Sequence, residues 1–341
     1  MNPLAVTPGD PDGIGPEVVW KTIREVRGLG ARLLCVGARR PFEKLGAKII
    51  ETSEEELRLA LKSHRLRPPA SREPHVWLLP APEAVPSASL GTAPAILAGF
   101  QAGWSIKKAT RLVQRGLATA LVTGPISKER LIAAGYSFPG HTEFLAHLCG
   151  KKTVTMMLAN DTLRVSLVTT HLALRDVPGA LTQQKIISAT KQTFNSLQAG
   201  WGIARPRVAV AALNPHAGES GLFGREEVEI ICPAIRKLRK LGYPAEGPFP
   251  ADTLFAKHVS GPLKGRFDAV VCMYHDQGLI PVKLLDFGNT VNITLGLPMI
   301  RTSVDHGVGF DIAGSGQADH SSFRAAVALA ERLVRKRRSD R

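Results

Sequence analysis

From Thr153 to Thr294 short apolar runs alternate with longer amphipathic ones, and this alternation is the tightest constraint the sequence places on its fold. Strands are expected at Thr153–Leu158, Arg164–Thr169, Arg207–Leu213, Asp268–Cys272 and Val291–Thr294. Helices are expected at Gln183–Gln198, Glu226–Leu241 and Ser321–Arg335, with Thr182 as an N-cap and Gly242 as a stop. Parallel strands need a crossover between them, so the pattern argues for α/β layers on a largely parallel sheet. Upstream, a strand at Leu4–Thr7 leads into a Gly/Pro loop ending at Glu17, with Pro16 in the first turn of a helix reaching about Val26. Arg32–Val36 and Ala118–Thr123 read as strands and Ile96–Val113 as a helix. Leu66–Pro94 reads as proline-rich loop with one strand near Val76–Leu79.

Three apolar runs end on a histidine: Val165–Thr170 on His171, Val208–Leu213 on His216 and Ala269–Tyr274 on His275. Open α/β sheets bind ligands at the carboxyl ends of their strands. Three imidazoles delivered there suit one divalent metal that keeps a position open for water or substrate.

At 341 residues the chain suits two lobes, and 44% hydrophobic with 21% charged residues is the balance of an ordinary globular protein. No apolar run approaches the roughly 20 residues that span a bilayer, and the N-terminus shows no basic-then-apolar leader. Cys35, Cys149, Cys232 and Cys272 form no C-x-x-C pair and read as small buried hydrophobes of a cytoplasmic protein. The net charge of +15 is spread along the chain, apart from a terminal cluster at Arg332, Arg335, Lys336, Arg337 and Arg338. With no nucleic-acid reading motif, that surplus fits steering of an anionic substrate better than nucleic-acid binding.

Other segments carry chemistry. Pro139-Gly140-His141-Thr142-Glu143 places two side-chain donors at a helix start, a natural anion site. Asn214–Gly224 is a glycine-rich turn able to fix a ligating His216. Asp252 follows a proline turn and is either a helix cap or a catalytic carboxylate. Asp276, next to His275, can orient the metal site, serve as general base or cap its turn. Lys283 and Arg301 flank the strand carrying Asn292 and can grip a phosphate. Thr302–Gly316 is glycine-rich enough to approach a nucleotide closely, but the Rossmann G-x-G-x-x-G after a first strand is missing.

Together Thr7–Glu17, Pro139–Glu143, Asn214–Glu219, Pro250–Thr253, Tyr274–Gly278, Val291–Pro298 and Arg301–Gly307 resemble the 4-hydroxythreonine-4-phosphate dehydrogenase family, in order and over nearly the whole chain. The resemblance implies a two-lobed fold similar to isocitrate and isopropylmalate dehydrogenases, with largely parallel sheets flanked by helices and a cleft between the lobes. Residues 1–128 plus 302–341 would form the nucleotide-side lobe, and 129–301 the lobe with the metal and dimer interface. It implies NAD- or NADP-dependent oxidation of 4-phosphohydroxy-L-threonine at C3 and decarboxylation to 3-amino-2-oxopropyl phosphate, in pyridoxal phosphate biosynthesis. Relatives acting on threonate or erythronate 4-phosphate leave the substrate open. Carried over by position, His171, His216 and His275 would ligate one divalent ion (zinc, magnesium or cobalt) per active site. His141, Thr142, Lys283, Asn292 and Arg301 would bind substrate, and His306, Gly307, Asp311 and Gly314 the nucleotide. Asp252 and Asp276 are the candidate bases. A homodimer with its active site at the subunit interface is implied, with no nucleic-acid or membrane partner.

Overall fold

Leu4–Thr7 is apolar and buried along its whole length, and it forms the first strand, β1, in the middle of a parallel sheet. The computed structural model describes residues 2–63, 66, 68–71, 73–86 and 93–339. The chain continues through α1 (Gly15–Glu25), β2 (Leu33–Gly37), α2 (Arg40–Lys44), β3 (Ile49–Glu51), α3 (Glu54–Ser63), β4 (Val76–Pro80), α4 (Pro94–Gln114), β5 (Leu121–Thr123), α5 (Lys128–Ala133) and α6 (His141–Leu148). Then come β6 (Thr155–Ala159), β7 (Arg164–Leu167), α7 (Val177–Ala180), α8 (Gln183–Trp201), β8 (Val208–Ala211), a π-helical turn over Glu227–Ile231, α9 (Cys232–Lys240), β9 (Ala245–Phe249) and α10 (Ala251–Val259). The last elements are β10 (Ala269–Cys272), α11 (His275–Leu285), β11 (Val291–Leu295), β12 (Arg301–Ser303) and α12 (Ser321–Ser339).

Two compact units result: Met1–Lys152 with Leu297–Val334, and Thr153–Gly296 with Arg335–Arg341. In the first unit the strand order is β3-β4-β2-β1-β5-β12, every pairing parallel. Helix α4 covers this sheet with Ile106, Ala109 and Leu112, packed on Ala5, Leu34, Val36 and Trp77. Leu131 of α5 and Phe144 and Leu145 of α6 complete the same core. Gly99 makes the α4–α5 contact possible, since a Cβ there would lie 2.0 Å from the Arg130 carbonyl oxygen. These contacts put residues 129–152 in the first unit, whereas the sequence boundary at 128/129 assigns them to the second lobe. Arg301 likewise belongs to the first unit, through the pairing of β12 with β5.

In the second unit the order is β11-β6-β7-β10-β8-β9. Strand β6 runs antiparallel to both neighbours, while β7, β10, β8 and β9 are parallel. Val165, Leu167, Ala209, Ala211, Val270 and Cys272 of the sheet pack on Leu254 of α10 and Leu279 and Val282 of α11. Thr182 caps α8, its side chain accepting from Lys185 N. Residues 67, 72 and 87–92 of the expected proline-rich loop, 64 and 65 just before it, and 340–341 of the terminal tail lie outside the described residues. Cys35 and Cys272 are buried as expected, and burial pushes the Cys35 thiol up to about 12. Cys149 and Cys232 are only half-buried because each ends or begins a helix at the rim of its core.

Phe144 is 2% exposed and stacks on Phe138 with ring centroids 4.4 Å apart. Phe144→Ala is expected to destabilise the first unit by about 3–5 kcal/mol, read as a lower urea midpoint for that unit's transition.

Candidate active site

Strands β7, β10 and β8 are adjacent and parallel, so their carboxyl ends emerge at one sheet edge. Their exits are tied together by hydrogen bonds. Val168 N donates to Cys272 O at 2.9 Å, and the Thr169 hydroxyl to Met273 O at 2.7 Å. Gln277 is buried on α11; it accepts from Met273 N at 2.7 Å and donates to Ala212 O at 2.6 Å. The three exits carry His171, His275 and His216.

The His171 and His275 rings stand side by side, with centroids 5.7 Å apart. His275 Nδ1 donates to Asp276 Oδ1 at 2.7 Å, which fixes the tautomer and leaves Nε2 as the lone-pair donor. Of the three roles open to Asp276, the orienting one is therefore occupied. Both rings line a cavity of about 470 Å3 with Leu172, Leu174, Tyr274 and Ile280. His216 stands apart from them: among the described residues no group of three or more His, Cys, Asp or Glu is arranged to hold a metal.

His216 opens a left-handed turn. His216, Ala217, Gly218, Glu219 and Ser220 have φ of 50°, 56°, 75°, 39° and 60°. Left-handed backbone costs an L-residue roughly 1–2 kcal/mol, and only one of these is glycine. Helix α10 packs on this turn and carries the exposed Asp252 in its first turn. Lys283, on α11, lies 5.4 Å from the centroid of the Phe287 ring. Asn292, half-buried on β11, is paired with Leu158 of β6.

The first unit holds the other expected residues. His141 is the first residue of α6, with Thr142 beside it in the same turn. Arg301 is 2% exposed and donates through Nη2 to Thr123 Oγ1 at 2.7 Å. Burial pushes the Arg301 guanidinium down to about 9 and the Glu143 carboxylate partly opposes this. Burial first, and the nearby Arg301 charge second, hold the His141 imidazole well below the usual histidine range. His141 Nε2 is buried with no hydrogen-bond partner. The buried Arg301 guanidinium thus lies near an unpartnered His141 nitrogen at the start of α6.

The His306–Gly316 loop is clamped onto α1. Glu17, buried, accepts from Gly314 N at 2.9 Å and from Ala318 N at 3.1 Å. Lys21, one turn on, donates to Gly316 O and Ala318 O, both at 2.7 Å. Beside the clamp lies a cavity of about 700 Å3 lined by Asp12, Gly13, Glu17, Arg40, Lys44 and Gly314, among others. His306, Gly307 and Asp311 sit on the loop but not on the cavity wall. Arg130 stacks on Phe310 of the loop at 4.3 Å while bridging Asp10 and Asp12. Lys21, Arg130 and Glu227 were not singled out, and Glu17 and Gln277 entered only as members of the resembling segments, since a buried polar side chain looks like a solvated one in sequence.

Residues 47–330 match the family model described as pyridoxal phosphate biosynthetic protein PdxA. A 4-hydroxythreonine-4-phosphate dehydrogenase of Caulobacter vibrioides is 43% identical, over 98% of each chain. A Bradyrhizobium diazoefficiens protein provisionally described as a D-threonate 4-phosphate dehydrogenase is 44% identical, over 97% of this chain and 96% of its own. The crystal structure of a 4-hydroxythreonine-4-phosphate dehydrogenase from Klebsiella pneumoniae superposes with a TM-score of 0.84 at 39% identity, covering 98% of this chain and all of that one. With matches running the length of the chain in both sequence and backbone, it belongs to the pyridoxal phosphate biosynthetic protein PdxA family.

Proposed function

We propose that this chain oxidises C3 of 4-phosphohydroxy-L-threonine with NAD or NADP, and that the 3-oxo acid formed loses carbon dioxide to give 3-amino-2-oxopropyl phosphate. The observation that carries the reading is the buried Arg301 beside a neutral His141, in a chain that matches named 4-hydroxythreonine-4-phosphate dehydrogenases throughout. Such a pair binds a phosphate or carboxylate by directed hydrogen bonds and full charge at low dielectric. Thr142 adds a hydroxyl donor on the same turn, and Lys283 and Asn292 are further candidate substrate-binding groups. When bound, a nicotinamide would supply the hydride acceptor, and a divalent ion held by the histidines would supply Lewis acidity.

The donor types suit such an ion, although the three imidazoles do not surround one point among the described residues. His171 and His275 are neighbours, Asp276 sets the His275 tautomer, and His216 supplies the third imidazole. Imidazole donors accept zinc or cobalt readily, and magnesium less so. Asp252 is the base that takes the C3 hydroxyl proton, because Asp276 is engaged with His275. A homodimer is the assembly we favour. Exposed Leu174 and Ile280, at 70% and 65%, give the histidine pair an apolar surround suited to a second copy. We read the 700 Å3 cavity beside Gly314 as the nucleotide pocket, where Arg40 and Lys44 would supply positive charge for the cofactor phosphates. No helix among the described residues is long and apolar enough to cross a membrane. Oxidation of threonate or erythronate 4-phosphate is the second reading, favoured by the Bradyrhizobium relative.

NAD(P)H formation from 4-phosphohydroxy-L-threonine is expected to vanish on chelation, return with zinc or cobalt, and be absent in His216→Ala. Higher kcat/KM on threonate 4-phosphate would move the assignment to the second reading. Arg301→Lys keeps the charge but loses the planar fork, and is expected to raise KM at least about ten-fold with a smaller change in kcat. His141 has a second signature. Its imidazole stays neutral in the native chain but takes a proton in the unfolded chain below about 6.5. Its contribution to stability is therefore lost as pH falls from there toward the depressed value. The drop in denaturation midpoint between neutral and mildly acidic pH should shrink in His141→Asn.

A further inference from the structure

The left-handed turn that presents His216 needs something to hold it, because four of its five residues gain nothing from φ above zero. The structure offers one anchor of the right kind. Glu227, the first residue of the π-helical turn, is 2% exposed. Its Oε1 accepts from Leu213 N and Asn214 N, each at 2.8 Å, and its Oε2 accepts from Asn214 Nδ2 at 2.8 Å. Asn214 Nδ2 also donates to Glu226 Oε2 at 2.7 Å. The turn closes over this carboxylate: a Cβ at Gly218 would lie 2.7 Å from Glu227 Oε2. Among the described residues no lysine or arginine pairs with Glu227, so the loop's own N–H groups compensate its buried charge.

We propose that Glu227 is a positioning residue of the metal site, its carboxylate fixing the left-handed turn so that His216 is presented as a ligand. Glu227 does not itself ligate, because both oxygens are already occupied by loop donors. The proposal rests on the reading of His216 as a metal ligand.

Cobalt(II) binding to the chelated full-length protein tests it, through affinity and the visible d–d spectrum, without turnover. His216→Ala serves as the reference for a lost ligand. Glu227→Ala removes all three acceptor contacts. Glu227→Gln keeps one acceptor oxygen for Leu213 N and Asn214 N but sets an amide N–H2 against Asn214 Nδ2. The expected result is affinity ten- to hundred-fold weaker in Glu227→Ala, an intermediate loss in Glu227→Gln, and an altered spectrum in both. Adding Ala217→Gly to Glu227→Gln should recover part of the affinity, since glycine takes φ 56° without cost.

Glu227 variants that melt earlier but bind cobalt with wild-type affinity and spectrum would mean the residue is only a structural anchor, and the proposal fails. If Glu227→Ala does not fold, Glu227→Gln decides by the same two readouts. Equal cobalt binding by wild type and His216→Ala overturns the metal reading itself, a result separable from failure of Glu227 alone.

Discussion

A strand cannot pair in parallel with its neighbour unless the chain first returns across the sheet, so a parallel sheet delivers all its carboxyl ends to one edge. In the second unit that geometric necessity puts His171, His275 and His216 at the exits of three adjacent strands, although more than a hundred residues separate the first from the last. Shared direction alone leaves the loops free to splay. Here Thr169, Met273, Gln277 and Ala212 bind exit to exit with hydrogen bonds of 2.6–2.7 Å, so the edge behaves as one object. Side chains that never touch a reactant thereby set where the imidazoles stand.

Buried charge is used in two opposite ways. Arg301 keeps its proton at neutral pH despite being pushed down to about 9, and the neutral His141 beside it adds no competing positive charge. That corner is the one we propose for the substrate's anionic group. Glu227 is equally buried but already saturated by N–H donors, so it is spent on geometry. The difference lies in whether the local backbone completes the coordination of the charge.

Much of the fold was legible because it rests on periodicity. The apolar runs at Leu4–Thr7, Arg164–Thr169 and Asp268–Cys272 became strands, and Thr182 capped α8. Elements that break local rules were missed. Helix α11 carries Gly278 and Pro281 in its interior; Gly278 is there because a Cβ would lie 3.0 Å from Cys272 Sγ and 3.1 Å from Leu167. Strand β9 contains Gly247 and Pro248, and β12 is three residues long, so neither shows a period. At the site, residue types and strand ends identified the histidines. What sets their orientation was invisible: Gln277 and Glu227 look like any polar residue of a solvated helix start until the backbone closes over them. The glycine-rich loop was noticed for its composition, yet its position depends on Glu17 and Lys21, nearly three hundred residues earlier.

The Glu17 clamp has a consequence for how such a chain can diverge. Both carboxylate oxygens of one helical side chain hold backbone amides of a distant loop, at Gly314 and Ala318. No side chain of the loop's anchored end makes the attachment, though Gly314 and Gly316, at φ of 74° and 77°, are positions that favour glycine. An insertion or deletion between those two amides changes their spacing and cannot be repaired by any new side chain. Lineages descending from this chain can rewrite the letters around those two glycines, but they inherit the segment's length.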